Sequence, residues 1–375
     1  MDGDKRVVKK ILVAAVAFFL VITSAVACGK EEDQKQEEKT TQETETETTE
    51  EPTETETEPE TEPEPEQSAF SLKDGEMYSN LSGLPVSTAI GNRRPIAVAF
   101  SNIQTALPQT GISRADIIYE AQVEGGITRL LGIMENYDDL EKIGSVRSAR
   151  PHYIHFANEY DAIYVHFGQC AYAMDMINSG MVDNINGYFA QGNFYRTTDR
   201  VAPHNAYTSG AGLNESIQKM YRTDHGEGYV KHFIFADYGT TVDLADGASA
   251  NTVKPGYANN ACFNYNPADN LYYRNEFDAP ETDDMNGQQL AVTNIIFQYC
   301  KWGYYDDNYR VKIDLTSGGA GKYITGGKAI DVTWSKGNDG ITRYYDGSGR
   351  EITLNTGKTW VCIIFDSQTG RAVVE

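Results

Sequence analysis

The sequence predicts an α+β protein, a mixed α/β segment followed by a mainly antiparallel β segment. Three observations carry this. Between Pro95 and Ala236, short apolar strand-like runs alternate with helical patterns. After about Asp237 the helical patterns stop, and apolar runs recur between Gly, Asn and Asp turns, which favours antiparallel sheet. Ahead of both, residues 29–68 are almost pure Glu, Thr, Gln and Pro and cannot build a core. The 375 residues thus divide into 1–28, 29–68, 69–242 and 243–375, and the last two are long enough for a core each.

The first segment has the pattern of an export signal. Lys5, Arg6, Lys9 and Lys10 precede an apolar run from Ile11 to Val26, which is shorter than the ~20 residues a spanning helix needs. Ala25-Val26-Ala27-Cys28 then forms a lipobox, so Cys28 is the expected lipidation site and the membrane is a partner through that anchor, on the extracytoplasmic face. The second segment holds 17 acidic residues against Lys30, Lys35 and Lys39. Like charges repel and Pro blocks helix, so a disordered, extended stalk is expected, reaching at most roughly 130–140 Å. The whole chain carries −22, but only −10 belongs to residues 69–375. That charge, with no basic stripe, excludes nucleic acid as a partner.

The elements follow in order. Pro95–Ser101 reads as a strand. Ile117–Val123 and Ile127–Met134 read as a hairpin about Gly125-Gly126. Ser148 ahead of Pro151 marks the start of a helix reaching about Glu159. Ala162–Phe167 returns as a strand, Ala171–Asn178 as a helix stopped by Gly180, Leu213–Tyr221 as a helix and Val230–Ala236 as a strand. Residues 243–260 look like a linker. Beyond it, Leu271–Arg274, Leu290–Tyr299, Arg310–Leu315, Lys328–Trp334, Ile341–Tyr345 and Thr359–Phe365 are the expected strands. Cys170, Cys262, Cys300 and Cys362 include no Cys-x-x-Cys pair; export permits disulfides, and the pairing stays open.

Three stretches, EGGITR (Glu124–Arg129), GSVRSARP (Gly144–Pro151) and RVAPHNAYTSG (Arg200–Gly210), together with GKTWVCIIF (Gly357–Phe365), resemble the YerB-like lipoprotein family. The resemblance runs from about Arg94 to Phe365. It implies a two-part extracytoplasmic lipoprotein of uncharacterised function. Leu107 departs from the Arg common before Pro-Gln, and Gln169-Cys170 replaces a Gly-Ser pair.

Arg147 and Arg150 flank Ser148 at the expected helix start, where the dipole favours anions and two guanidiniums add bidentate contacts. With Arg129, Arg200, His204 and Asn205 they form a candidate anion pocket, and Glu120, Glu124 and Asp199 are its candidate counter-charges. The competing reading is a structural network of arginine–carboxylate pairs, and spacing alone does not separate the two. His152 and His155 lie on one helical face but lack the further ligands zinc needs, so no metal site is expected, and no cofactor is identified. Ser317–Tyr323 (SGGAGKY) fails as a phosphate loop, because Tyr323 stands where Ser or Thr would hold magnesium. The favoured function is a non-catalytic binding module for an anionic envelope ligand, such as a glycopolymer or other phosphate-bearing molecule, or for a protein partner. The alternative is a metal-assisted phosphotransferase or hydrolase acting on a lipid-linked phosphate.

Overall fold

The structure, a computed structural model, describes residues 71–190 and 192–375. The signal, Cys28 and the acidic stalk lie outside the described residues. Sheet dominates and helices are few. One large sheet runs, strand by strand, through Ala248–Ser249, Lys328–Lys336, Gly319–Thr325, Asn294–Cys300, Thr359–Phe365, Ile117–Gln122, Thr128–Met134, Ile96–Asn102, Ile163–His166 and Asn184–Asn186. Thr342–Tyr345 extends it beside Lys328–Lys336. The sheet therefore crosses the sequence division near residue 242 without a break. Its seam is Thr359–Phe365, which runs parallel both to Asn294–Cys300 and to Ile117–Gln122.

Alternation along the central strands explains why they read as continuous apolar runs. Ala97, Ala99, Tyr119, Ala121, Val361 and Ile363 face one core, while Val98, Phe100, Ile118, Trp360, Cys362 and Ile364 face the other. Both faces are buried, as parallel strands require. Helix Pro151–Glu159 covers the first face through Ile154, Phe156 and Ala157, and helix Gly210–Met220 covers the second through Leu213 and Ile217. A second sheet, built on Thr252–Lys254, Cys262–Asn266 and Leu271–Glu276, packs Val253, Phe263 and Tyr272 into the second core.

Most expected elements appear close to their expected bounds. The hairpin turns at Gly125 and Gly126, both at positive φ, which glycine adopts without a Cβ clash. Helix Ala171–Asn178 and strand Thr359–Phe365 match residue for residue. Four details add to or differ from these expectations. In the second segment, strand Thr359–Phe365 pairs in parallel on both sides, with Asn294–Cys300 and with Ile117–Gln122. Ser148 does not cap the helix; Arg150 is the N-cap residue, and the Ser148 hydroxyl donates to the Phe167 carbonyl at 3.1 Å. Val230–Ala236 keeps only Ile234–Phe235 as strand; the successive residues His232 and Phe233 are both buried, against strand alternation. Ser317–Tyr323 leads into strand Gly319–Thr325, where Gly321 lets the Phe297 carbonyl approach closer than a Cβ would permit. The four cysteines among the described residues are free.

Two buried polar networks tie the sequence segments together. Glu159, at the end of its helix, accepts from His232 Nε2 (2.9 Å), the Thr342 backbone N–H (2.8 Å) and Lys336 Nζ (2.5 Å). Burial alone would raise its pKa, but the hydrogen bond and charge of His232, then Lys336, hold it down at about 2. The other network centres on Arg274, 1% exposed, which lies 2.9 Å from Glu120, 3.0 Å from Glu281 and 3.5 Å from Glu276. Its guanidinium also stacks over Trp360 at 4.4 Å.

These burials set a pH dependence. Burial lifts Asp116 to about 6 against the pull of Lys358, and it lifts Glu135 to about 7 with help from Asp116. Glu276 and Glu281 are also raised, by burial and by crowding with other carboxylates. A raised carboxyl pKa means that the folded state binds the proton more tightly. That stability is full below the unfolded value and is lost as pH rises through 6–7. Glu159 acts oppositely, losing its contribution as pH falls from about 4.5 towards 2. Stability is expected to peak near pH 5 and to fall by on the order of 3 kcal/mol by pH 8. Thermal melts across pH 3–8 check this, and a melting temperature climbing steadily to pH 8 would contradict it.

Candidate functional site

Strand Ile163–His166 runs parallel to Ile96–Asn102 and ends beside its middle, where the Arg147 N–H bonds the Ala99 carbonyl just ahead of helix Pro151–Glu159. In open sheets with parallel strands, the carboxyl ends of the strands are where ligands collect. Arg129 reaches this place from the hairpin strand Thr128–Met134, Arg147 from the segment before the helix, and Arg150 from the helix N-cap.

Their partners differ. Arg150 forks onto Glu124, with Nε to Oε1 at 2.8 Å and Nη2 to Oε2 at 2.7 Å. Burial opposes its charge, but the Glu124 carboxylate outweighs burial and raises the guanidinium's pKa, while Glu124 is lowered in return. Arg147 donates to the Pro203 carbonyl at 2.9 Å, and Arg129 donates to the Ser148 carbonyl. Neither has a carboxylate within ion-pair reach among the described residues. Arg129 is only 4% exposed, and burial, then Arg150 and Arg147, bring its pKa down to about 10. A buried guanidinium pushed down by two others sits in positive surroundings that Glu124, paired with Arg150, balances only in part.

His204 closes another side of the cluster, with Nδ1 3.2 Å from Ser101 Oγ. Its pKa is lowered by partial burial, then by Arg147 and Arg129. Arg196, on strand Phe194–Arg196, was not singled out from the sequence, yet after burial and Arg150 its charge too pushes the Arg147 pKa down. Asn205 serves the site indirectly, accepting from Arg196 Nη1 at 2.8 Å. The signal that could have found Arg196 is its register opposite Ala206, one residue from Asn205, and that needs the strand pairing.

Three candidates fall elsewhere. Glu120 is fully buried among Arg274, Asn102, Thr128 and Asn259, so it offers no counter-charge to the arginine cluster. Arg200 donates to the Ala106 and Pro108 carbonyls, and Asp199 lies 3.7 Å from it. That pair fastens two loops. Sequence spacing missed these placements because side-chain direction depends on which sheet face each strand residue takes. The histidines also separate. His152 is buried beside Tyr153, the pKa of His155 is lowered by burial and by Lys336, and His166 lies 2.9 Å from the Gly168 carbonyl and 3.0 Å from Asn184.

Hollows of the surface lie away from the arginine cluster. One of about 610 Å3 is lined by Lys254, Tyr257, Asn260, Cys262, Asn275 and Arg371. Burial raises the Cys262 thiol, which disfavours a reactive thiolate there.

A mostly β body whose two sequence segments share one sheet, with a cluster of guanidiniums beside the parallel strands, is a two-part sheet protein with a basic cluster on its first segment. The chain belongs to the family described as protein of unknown function (DUF3048), whose N-terminal domain matches residues 81–223 and whose C-terminal domain matches residues 252–361. It is 33% identical over 295 residues to the candidate lipoprotein YerB of Bacillus subtilis (strain 168), covering 76% of this chain and 86% of that one. The crystal structure of the Bacillus subtilis YerB protein superposes with a TM-score of 0.71 at 30% identity, covering 80% of this chain and 99% of that one. Among the described residues, no helix is long and apolar enough to cross a membrane.

Proposed function

We propose that this protein is a lipid-anchored extracytoplasmic binding module that holds an anionic cell-envelope ligand on Arg129 and Arg147, without catalysing its conversion. One observation carries the reading. Among the described residues, Arg129 is buried with no carboxylate within ion-pair distance, and it lies in the field of two further guanidiniums. Burying an unpaired charge is costly, so a site kept that way suits an anion that arrives from outside. Planar guanidiniums match phosphate and carboxylate oxygens bidentately, which ammonium groups cannot do. Arg150, already paired with Glu124, frames the recess instead of contributing a free fork. The anchor half of the proposal rests on Cys28 and on kinship with a protein named as a candidate lipoprotein.

Pyrophosphate is the probe. At a hundred times its dissociation constant it should stabilise the full chain by about 2.7 kcal/mol. Replacing Arg147 with Lys should weaken that response while leaving the unliganded melting temperature within a degree or two. A wild-type melting temperature indifferent to pyrophosphate would remove the proposal.

A further inference from the structure

We infer that the anion taken by this site is carried on a sugar ring, so that the ligand is a phosphorylated sugar or a phosphate-linked glycan; this rests on the anion reading of Arg129 and Arg147. The observation is an aromatic shelf built against the arginines. Phe167 follows strand Ile163–His166, and its backbone N–H donates to the Arg147 carbonyl at 2.9 Å. The ring of Tyr188 lies 4.6 Å from that of Phe167, and the Arg196 guanidinium lies 4.5 Å from the same ring.

Two glycines make this packing possible. A Cβ on Gly187 would lie 2.3 Å from Phe167 Cδ2, and a Cβ on Gly168 would lie 2.7 Å from Tyr188 Cε2 and 3.5 Å from Ser148 Oγ. The Tyr188 ring and the residue whose carbonyl holds Arg129 thus flank a single backbone position. Asn186 Oδ1 accepts from both the Gly168 and Tyr188 N–H groups at 3.1 Å, and Asn186 Nδ2 donates to Gln169 at 2.9 Å, which pins the shelf. The shelf is nevertheless left open, with Tyr188 58% and the adjacent Phe189 82% exposed. Exposed aromatic surface beside a polar recess marks a binding face. The apolar face of a pyranose ring fits such a shelf while its phosphate enters the recess.

A bilayer is the other surface that exposed aromatics and arginines could meet, and two observations disfavour it. Arg129 is too recessed to reach a flat surface, and residues 69–375 carry net negative charge that anionic lipids would repel.

Titration calorimetry on the full chain in detergent, with inorganic phosphate, glucose 1-phosphate and glycerol phosphate, tests the inference. Glucose 1-phosphate should bind about tenfold tighter than inorganic phosphate, and Tyr188→Ala should erase that gain while leaving phosphate affinity unchanged. Tyr188→Trp should retain the gain, which guards against a folding artefact. Equal affinities for phosphate and glucose 1-phosphate would overturn the sugar inference and leave the anion reading standing. Glycerol phosphate binding as tightly as glucose 1-phosphate, with Tyr188→Ala silent, would assign the site to lipid headgroups and overturn it too. Absence of binding by all three would remove the anion reading itself.

Discussion

Replacing Arg274 with Met is expected to cost about 3–5 kcal/mol at pH 7.5, the largest single stability effect in this chain. The methionine fills similar volume over Trp360, so the loss comes from charge, not from a cavity. Arg274 is the cation among Glu120, Glu276 and Glu281, all within 3.5 Å of it and none more than 2% exposed. Removing it leaves carboxylates facing one another in a medium that solvates none of them. The donors that remain, Asn102, Thr128, Asn259 and the Trp360 indole N–H on Glu120 and Asn259 on Glu276, are all neutral and weaker. Because Glu276 and Glu281 are already raised by burial and crowding, protonating them should relieve the variant. The deficit at pH 5 should therefore be well below that at pH 7.5. Urea unfolding at the two pH values measures it, and a loss under about 1 kcal/mol at both would mean that the cluster relaxes into solvent. The network joins a strand of the first sequence segment to strands of the second, so the variant should unfold both together in a single transition.

That coupling shows what the sequence conveyed and what it withheld. The hairpin around Gly125-Gly126 and the strand Thr359–Phe365 were legible because their signals are local: a turn that needs positive φ, and an apolar run with a buried face on each side. The placement of Thr359–Phe365 beside Ile117–Gln122 was not legible, since strand neighbours far apart in sequence leave no periodic trace. The same limit governs the site. GSVRSARP correctly pointed to Arg147 and Arg150 near a helix start. Whether Glu120 or Glu124 would meet them depended on which face of the sheet each residue takes. Glu120 lies within a strand and turns to the far face, where Arg274 waits; Glu124 sits in the hairpin turn and reaches Arg150. The two competing readings of the arginines are thus divided between residues. Arg150 is glue, and among the described residues Arg129 and Arg147 have no carboxylate within ion-pair distance.

The second large effect follows from that division. Replacing Arg129 with Met is expected to abolish the pyrophosphate response, a loss on the order of 10- to 150-fold in affinity, the range for charge-assisted hydrogen bonds to one guanidinium. It should do so without destabilising the empty protein. Burial and the neighbouring guanidiniums lower the Arg129 pKa to about 10, an unfavourable balance of about 3 kcal/mol for keeping it charged there. Taking the charge away removes that strain, so the unliganded melting temperature should stay level or rise. Arg150→Met should show the opposite pattern: a loss of about 1–3 kcal/mol with no ligand present, because Glu124 is left unpaired at partial burial, and a smaller change in ligand response. Melts of both variants, with and without pyrophosphate, give four numbers that separate binding from structure. Loss of unliganded stability in Arg129→Met as large as in Arg150→Met would mean that Arg129 is structural too. The charge imbalance in the recess would then be a packing cost and not a binding site.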